Sequence, residues 1–247
     1  MFAASLANAD EITVLGPEVL SAPLKEIAAA YDAGENKVRL AFDPADAPSR
    51  QLDAGAAADV LISADAARMD AMEKKELLIP GTRRNALVNT LVIVITGGDQ
   101  ASGPTAPAGL AEPAVKRIAL ADAKTPSGAD ARAFLRGLGL WEKVEAKVLT
   151  VADPAAVIAA IEGGKAEAGL VYKSDAQPAK GVRISAEIPP PEAPAIAYAF
   201  AVVKASRLPE QANRFATFLA SPPAMEIFHK HGLTRVHGGA EPQVPVK

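Results

Sequence analysis

The chain is predicted to be an α/β protein of mostly parallel sheets flanked by helices, and three observations predict it. Short β-type runs alternate with helical patterns along nearly its whole length. One of those runs, LVIVIT (91–96), is continuously apolar, as a strand covered on both faces must be. No period of 20–50 residues recurs, which excludes solenoids.

The elements follow in order. EITVLG (11–16) reads as a strand. Residues 18–33 place Val19, Leu20, Leu24, Ile27, Ala28 and Tyr31 on one helical face. Pro23 fits there only near the helix start, where its missing N–H removes no helical bond. KVRLAF (37–42) alternates as a second strand, and DVLISA (59–64) is a third. Ser63-Ala64-Asp65 is read as the cap of a helix running through Lys75. After LVIVIT, residues 97–107 form a loop and RIALAD (117–122) a strand. A helix is expected from Ser127 to Leu140, with Ser127 as its N-cap. A strand (147–151), a helix (155–162) and two strands, EAGLVY (167–172) and VRISAE (182–187), come next. Residues 188–194 are proline-rich and extended. A long strand (196–203) precedes helices at 209–220 and 223–230.

Composition narrows the function classes. The 247 residues suffice for one large α/β domain or two small ones. The apolar share is 49%, so a core can be buried, and alanine carries much of it because aromatics are only 4%. Net charge is −3 without a long basic run, which does not favour a nucleic-acid partner. No stretch of 18 or more apolar residues occurs, so no membrane-spanning helix is predicted. The absence of cysteine excludes disulfides, thiolate metal sites and thiol nucleophiles. Ala7-Asn8-Ala9 followed by Asp10-Glu11 resembles the end of a secretory signal with cleavage after Ala9. The alternative for residues 1–9 is a frayed tail.

Five motifs in order carry a family resemblance: RQLDAGAAADVLISAD (50–65), NTLVIVI (89–95), LGLWEKV (138–144), GLVYKSDA (169–176) and AMEIFHKHGL (224–233). Together they resemble the periplasmic molybdate-binding protein family, whose members serve ABC importers. The resemblance implies a type II periplasmic-binding fold with two α/β lobes and two crossover strands. LVIVIT would cross on the way out and AIAYAFAVV (195–203) on the way back. Lobe I would hold 10–90 and 195–233, lobe II 91–194, and 234–247 would be a loose tail. It also implies export to the periplasm, capture of a small ligand by hinge closure, a membrane permease as partner, a monomer, and neither catalysis nor a cofactor.

In that family an oxyanion is held without a countercharge by serine hydroxyls, a tyrosine hydroxyl and N–H groups at helix starts, where the dipole favours an anion. Carried over, the first serine position falls on Val19, beside Glu18. The second falls near Ala45, between Asp43 and Asp46. The third falls on Ser127. The fourth is a backbone donor at Pro154, which has no N–H. The fifth is Tyr172. Two of five contacts survive. A hydrogen bond to a charged partner is worth roughly 1.5–3 kcal/mol, so three losses nominally cost about 4–9 kcal/mol. A micromolar ligand has only about 8 kcal/mol in all. Two readings stand open. Either the cleft takes a cationic or hydroxylated molecule held by Glu18, Asp43 and Asp46, or the oxyanion is kept by realigned Ser21 or Ser49. A sensory or degenerate binding protein is a third possibility. The plainer account of Glu18 is a helix-start acid, and of Asp43 and Asp46 a turn around Pro44.

Other constellations point less far. His229, His231 and His237 are read as a cationic helix terminus, because residues two apart on a helix diverge rather than converge on a metal. Gly137-Leu138-Gly139 does not follow a strand, and Gly163-Gly164-Lys165 lacks the hydroxyl residue of a phosphate-binding loop.

Overall fold

A computed structural model describes residues 11–31, 37–43, 47–64, 66–98, 102–188 and 196–236. The expected cleavage point, Ala45, Asp46, the Asp65 cap, the proline-rich segment and His237 lie outside them. The chain divides into two compact units. The first comprises 1–88, 197–229 and 234–247, and the second 89–196 and 230–233.

The first unit holds a six-stranded sheet. Its strands are β1 (Glu11–Pro17), β2 (Lys37–Asp43), β3 (Val60–Ser63), β4 (Arg84–Asn89), β10 (Ile196–Val202) and β11 (Thr234–Arg235), in the order β11-β4-β10-β3-β1-β2. β1 lies parallel to both β2 and β3, whereas β10 runs antiparallel to β3 and β11 to β4. Helices α1 (Ser21–Tyr31), α2 (Ala47–Asp53), α3 (Ala66–Lys74), α8 (Pro209–Leu219) and α9 (Pro222–Lys230) accompany it. All four residues of β3 are buried. Leu61 packs in one cluster with Leu52 of α2 and Met69 and Met72 of α3. Residues of the other parity, Val60 and Ile62, are equally buried. Strand β3 is therefore enclosed from both sides, which is why its sequence is apolar throughout. The edge strand β2 is only half-buried, which matches its alternation. Tyr31 closes α1 with its ring edge-on to Phe215 of α8 at 5.0 Å between centroids.

The second unit holds a five-stranded sheet. Its strands are β5 (Leu91–Thr96), β6 (Ile118–Ala121), β7 (Val148–Val151), β8 (Ala168–Tyr172) and β9 (Val182–Ile188), in the order β7-β6-β8-β5-β9. β6 is parallel to β7 and β8, while β5 is antiparallel to β8 and β9. Its helices are α4 (Pro126–Gly137), α5 (Trp141–Val144), α6 (Pro154–Glu162) and α7 (Lys173–Ala176). The LVIVIT run shows why a doubly covered strand must be apolar at every position. Leu91, Ile93 and Ile95 join one core with Phe134 and Leu135 of α4. Val92 and Val94 join the other with Val157 and Ile161 of α6. Each such side chain contributes roughly 1.5–3 kcal/mol on burial.

Four expectations need correction. LVIVIT is not shared by the two units. The chain leaves the first sheet along β4, turns at Thr90 and enters the second as β5. The sequence RNALVN carries no clear strand signal, because both its ends are polar and Arg84 and Asn85 are not buried. The run 196–202 likewise lies wholly in the first sheet. Among the described residues, parallel pairing is confined to β1–β3 and β6–β8, and each sheet is completed by antiparallel partners. Finally, the stretch after Leu233 is not loose at its start, because Thr234 and Arg235 pair with Val88 and Leu87. Just before it, residues 230–233 pack with the second unit. Gly232 has φ +80 and approaches α7 so closely that a Cβ there would stand 2.7 Å from the Lys173 carbonyl oxygen.

Candidate functional site

Both sheets have a switch point, where the chain goes to one neighbour of a strand and later returns on its other side. In the first sheet it lies between β1 and β3, and in the second between β6 and β8. Ligands of open α/β sheets bind beyond the carboxyl ends of strands at such points, because loops diverge there and leave a crevice.

In the first unit, Pro17 and Asp43 are register partners at the carboxyl ends of β1 and β2. Glu18 and Val19 follow at once in a short 3-10 turn, Glu18–Leu20. Val19 is 46% exposed, an apolar side chain where the family pattern wants a hydroxyl. Glu18 is exposed in the first turn, where the dipole favours an acid. The Asp43 carboxylate accepts a hydrogen bond from Gln51 Nε2 on α2. Of the two realigned serines, Ser49 is spent internally, since its hydroxyl donates to Ser63 Oγ at 3.0 Å in the buried interior. Ser21 is half-buried at the start of α1, and its N–H donates to the Glu18 carbonyl.

In the second unit, the loop after β6 and the end of β8 converge. Thr125, not Ser127, is the N-cap of α4. Its backbone is extended and its Oγ1 accepts from the Gly128 N–H at 3.1 Å. Pro126 occupies the first helical position, where no N–H is needed. Ser127 is then the second helical residue, 1% exposed, with an Oγ that has no hydrogen-bond partner. Thr125→Ala is expected to cost about 1 kcal/mol of stability, as N-cap losses usually do, measured by urea denaturation.

Pro154 opens α6 behind the Asp153 cap, whose carboxylate accepts from the Ala156 N–H at 2.8 Å. One of that helix's few free donors is thereby consumed. Tyr172 is 5% exposed at the end of β8, and its hydroxyl donates to Asp130 Oδ2 on α4 at 2.5 Å. Nothing in the sequence singles out Asp130 or Arg132. Both sit in an amphipathic helix where charge reads as solvent-facing. The Arg132 guanidinium is buried and donates to the carbonyls of Ala121 (2.6 Å) and Gly128 (2.8 Å) and to Thr150 Oγ1 (3.1 Å). Burial lowers its pKa, and the Asp122 carboxylate works against that. Asp175 lies three residues after Tyr172. Its Oδ2 is buried without a partner, and burial raises its pKa from 3.8 to about 6.

A cavity of about 810 Å³ lies elsewhere in the first unit, lined by Glu11, Thr13 and Asp59 at the amino ends of β1 and β3 and by Val203–Leu208 after β10. Its carboxylate Asp59 already accepts from the Thr13 N–H (2.7 Å) and from Ser206 Oγ (2.5 Å). The size of the cavity therefore does not outweigh the chemistry gathered at the strands' carboxyl ends.

The fold and these loop-end constellations define a class, the solute-binding proteins of the type II periplasmic fold. A family model described as bacterial extracellular solute-binding protein matches residues 12–234. The molybdate-binding protein of Escherichia coli is 30% identical over 235 residues, covering 93% of this chain and 91% of that protein. That of Mycobacterium tuberculosis is 29% identical, covering 92% and 86%. Among solved structures, the substrate-binding domain ascribed to a molybdenum ABC transporter of Clostridium difficile superposes with TM-score 0.85 at 26% identity, covering 92% of this chain and 99% of that one. The chain belongs to the bacterial extracellular solute-binding protein family, a group defined by binding rather than by catalysis.

Proposed function

We propose that this chain is exported, captures a small ligand at the loops beyond the carboxyl ends of its strands, and presents it as a monomer to the membrane permease of an ABC importer. The ligand is not molybdate held in the manner of its relatives. The observation that carries this reading is the loss of hydroxyl donors at the strands' carboxyl ends. Val19 is exposed and apolar, and the Tyr172 proton is directed at Asp130. No helix among the described residues is long and apolar enough to cross a membrane.

A second reading, retention of the oxyanion, is favoured by one observation. The buried, partnerless Ser127 Oγ sits in the first turn of α4, where an anion would satisfy it. Thermal unfolding with added ligand separates the two. A ligand at 100 times its Kd stabilises by about 2.7 kcal/mol, which is several degrees for a chain of this size. Molybdate and tungstate at millimolar concentration are expected to leave the melting temperature unchanged, while amines or polyhydroxylated compounds raise it. A clear molybdate shift defeats the first reading. A flat response to every compound moves the sensory or degenerate alternative ahead.

A further inference from the structure

We propose that Asp130 is a specificity-determining residue, which fixes Tyr172 as a hydrogen-bond acceptor and so selects ligands that bring their own proton. It rests on the reading that the loop after β6 and the end of β8 hold the ligand. The ligand class is then a small ammonium compound or a hydroxyl-bearing one, and a fully ionised oxyanion is excluded.

The argument starts from the phenol. A tyrosine hydroxyl has one proton and two lone pairs. Tyr172 directs its proton at Asp130 Oδ2 over 2.5 Å, the short distance of an O–H donor on a carboxylate. Any further polar partner of that oxygen must therefore donate to it. An oxyanion has only lone pairs to offer. It would have to break the charge-assisted bond and would then sit beside a carboxylate of its own sign. An ammonium or hydroxyl group meets a polarised phenolic oxygen, with the Asp130 charge one bond behind it.

The nearby cation does not cancel that charge. Arg132, two residues further along α4, gives its guanidinium to the Ala121 and Gly128 carbonyls and to Thr150 Oγ1, and the carboxylate acting on it is Asp122. The geometry is also well anchored. Tyr172 ends β8 inside the buried core of the second unit, and α4 is held by the Thr125 cap. The side chain that sets the preference is thus on a helix and the one that expresses it on a strand, so neither depends on a mobile loop.

The experiment is isothermal titration of molybdate and tungstate, and of a panel of small amines and amino alcohols, into the full chain and into Asp130→Asn, Asp130→Ala and Tyr172→Phe. In Asp130→Asn the charge is removed and the side-chain amide can donate to the phenolic oxygen, which lets the phenolic proton turn to a ligand at nearly unchanged shape. Molybdate or tungstate is expected to bind Asp130→Asn at least tenfold more tightly than it binds the parent, and any amine found to bind the parent should lose at least tenfold. No gain in oxyanion affinity overturns the proposal. Urea midpoints of the variants confirm folding, and Asp130→Asn carries the test should Asp130→Ala fail to fold. Tyr172→Phe separates this failure from that of the underlying reading. If it leaves all binding unchanged, the strand-end site itself is wrong. If it weakens binding while Asp130→Asn shifts no preference, only the role of Asp130 is wrong.

Discussion

Gly128→Ala is expected to destabilise the protein by about 4 kcal/mol or more, at the upper end of what single substitutions do. A Cβ at this position would stand 2.2 Å from the Asp122 carbonyl oxygen and 2.5 Å from that of Ala121. Both are backbone atoms at the carboxyl end of β6, so no side chain can swing aside. Helix α4 would have to lift off the strand. That movement would strain the Gly128 N–H bond to Thr125 Oγ1 and pull Arg132 from the Ala121 carbonyl of β6. A buried guanidinium separated from that acceptor adds its own desolvation cost. Ligand binding should fall together with stability, because Ser127 and Asp130 ride on the same helix. Gly137→Ala in the last turn of α4 is the control. Nothing lies within 4 Å of its Cβ, and alanine there should stabilise by roughly 0.5–1 kcal/mol. Urea midpoints and slopes for the two variants read the contrast. A Gly128→Ala protein within 1 kcal/mol of the parent would show that α4 is not pressed against β6 as described.

These close approaches were largely hidden in the sequence, while the elements they join were not. LVIVIT announces a strand buried on both faces because every residue must be apolar for that to work. The GLVY run ends at Tyr172 for the same reason. RNALVN gives no such signal, since Arg84 and Asn85 remain at the surface and only part of the strand is enclosed. Strand direction is not legible in the sequence, because pairing is set by which unit the chain has just entered, not by local pattern. The cap of α4 falls on Thr125, two residues before Ser127. Thr125-Pro126 is the stronger helix start, since threonine caps and proline suits the first position. The Asp130–Tyr172 bond spans 42 residues, and nothing in either neighbourhood points to the other. In the same way Lys173-Ser174-Asp175 reads as a polar surface turn, although the carboxyl of Asp175 is drawn inside.

That buried carboxyl makes the second large prediction. Asp175→Asn is expected to be more stable than the parent at neutral pH by roughly 3 kcal/mol, with the two proteins nearly equal near pH 4. Burial raises the Asp175 pKa from 3.8 to about 6, and a backbone N–H from Tyr172 opposes the rise only in part. The sign follows from proton counting. Between these two values the folded carboxyl keeps its proton while the unfolded one has lost it. The native state then binds more protons, and stability falls as pH increases. The loss is complete once the pH has passed about 6, where folding must bury a charge whose Oδ2 has no partner. At about 1.4 kcal/mol for each tenfold step in acidity, the rise corresponds to roughly 3 kcal/mol. Asparagine has the same shape and no charge, so it escapes this term while keeping an acceptor for the Tyr172 N–H. Urea titrations of both proteins at pH 4, 5.5 and 7.5 should show the gap opening across that window. A gap of constant size would mean that Asp175 ionises as freely in the folded chain as in the unfolded one. Because Asp175 follows Tyr172 by a single turn, the parent protein should also hold the end of β8 more firmly in acid than at neutral pH. Amide exchange of residues 168–176, compared at pH 5 and pH 7 after correction for intrinsic rates, is expected to show greater protection at the lower pH.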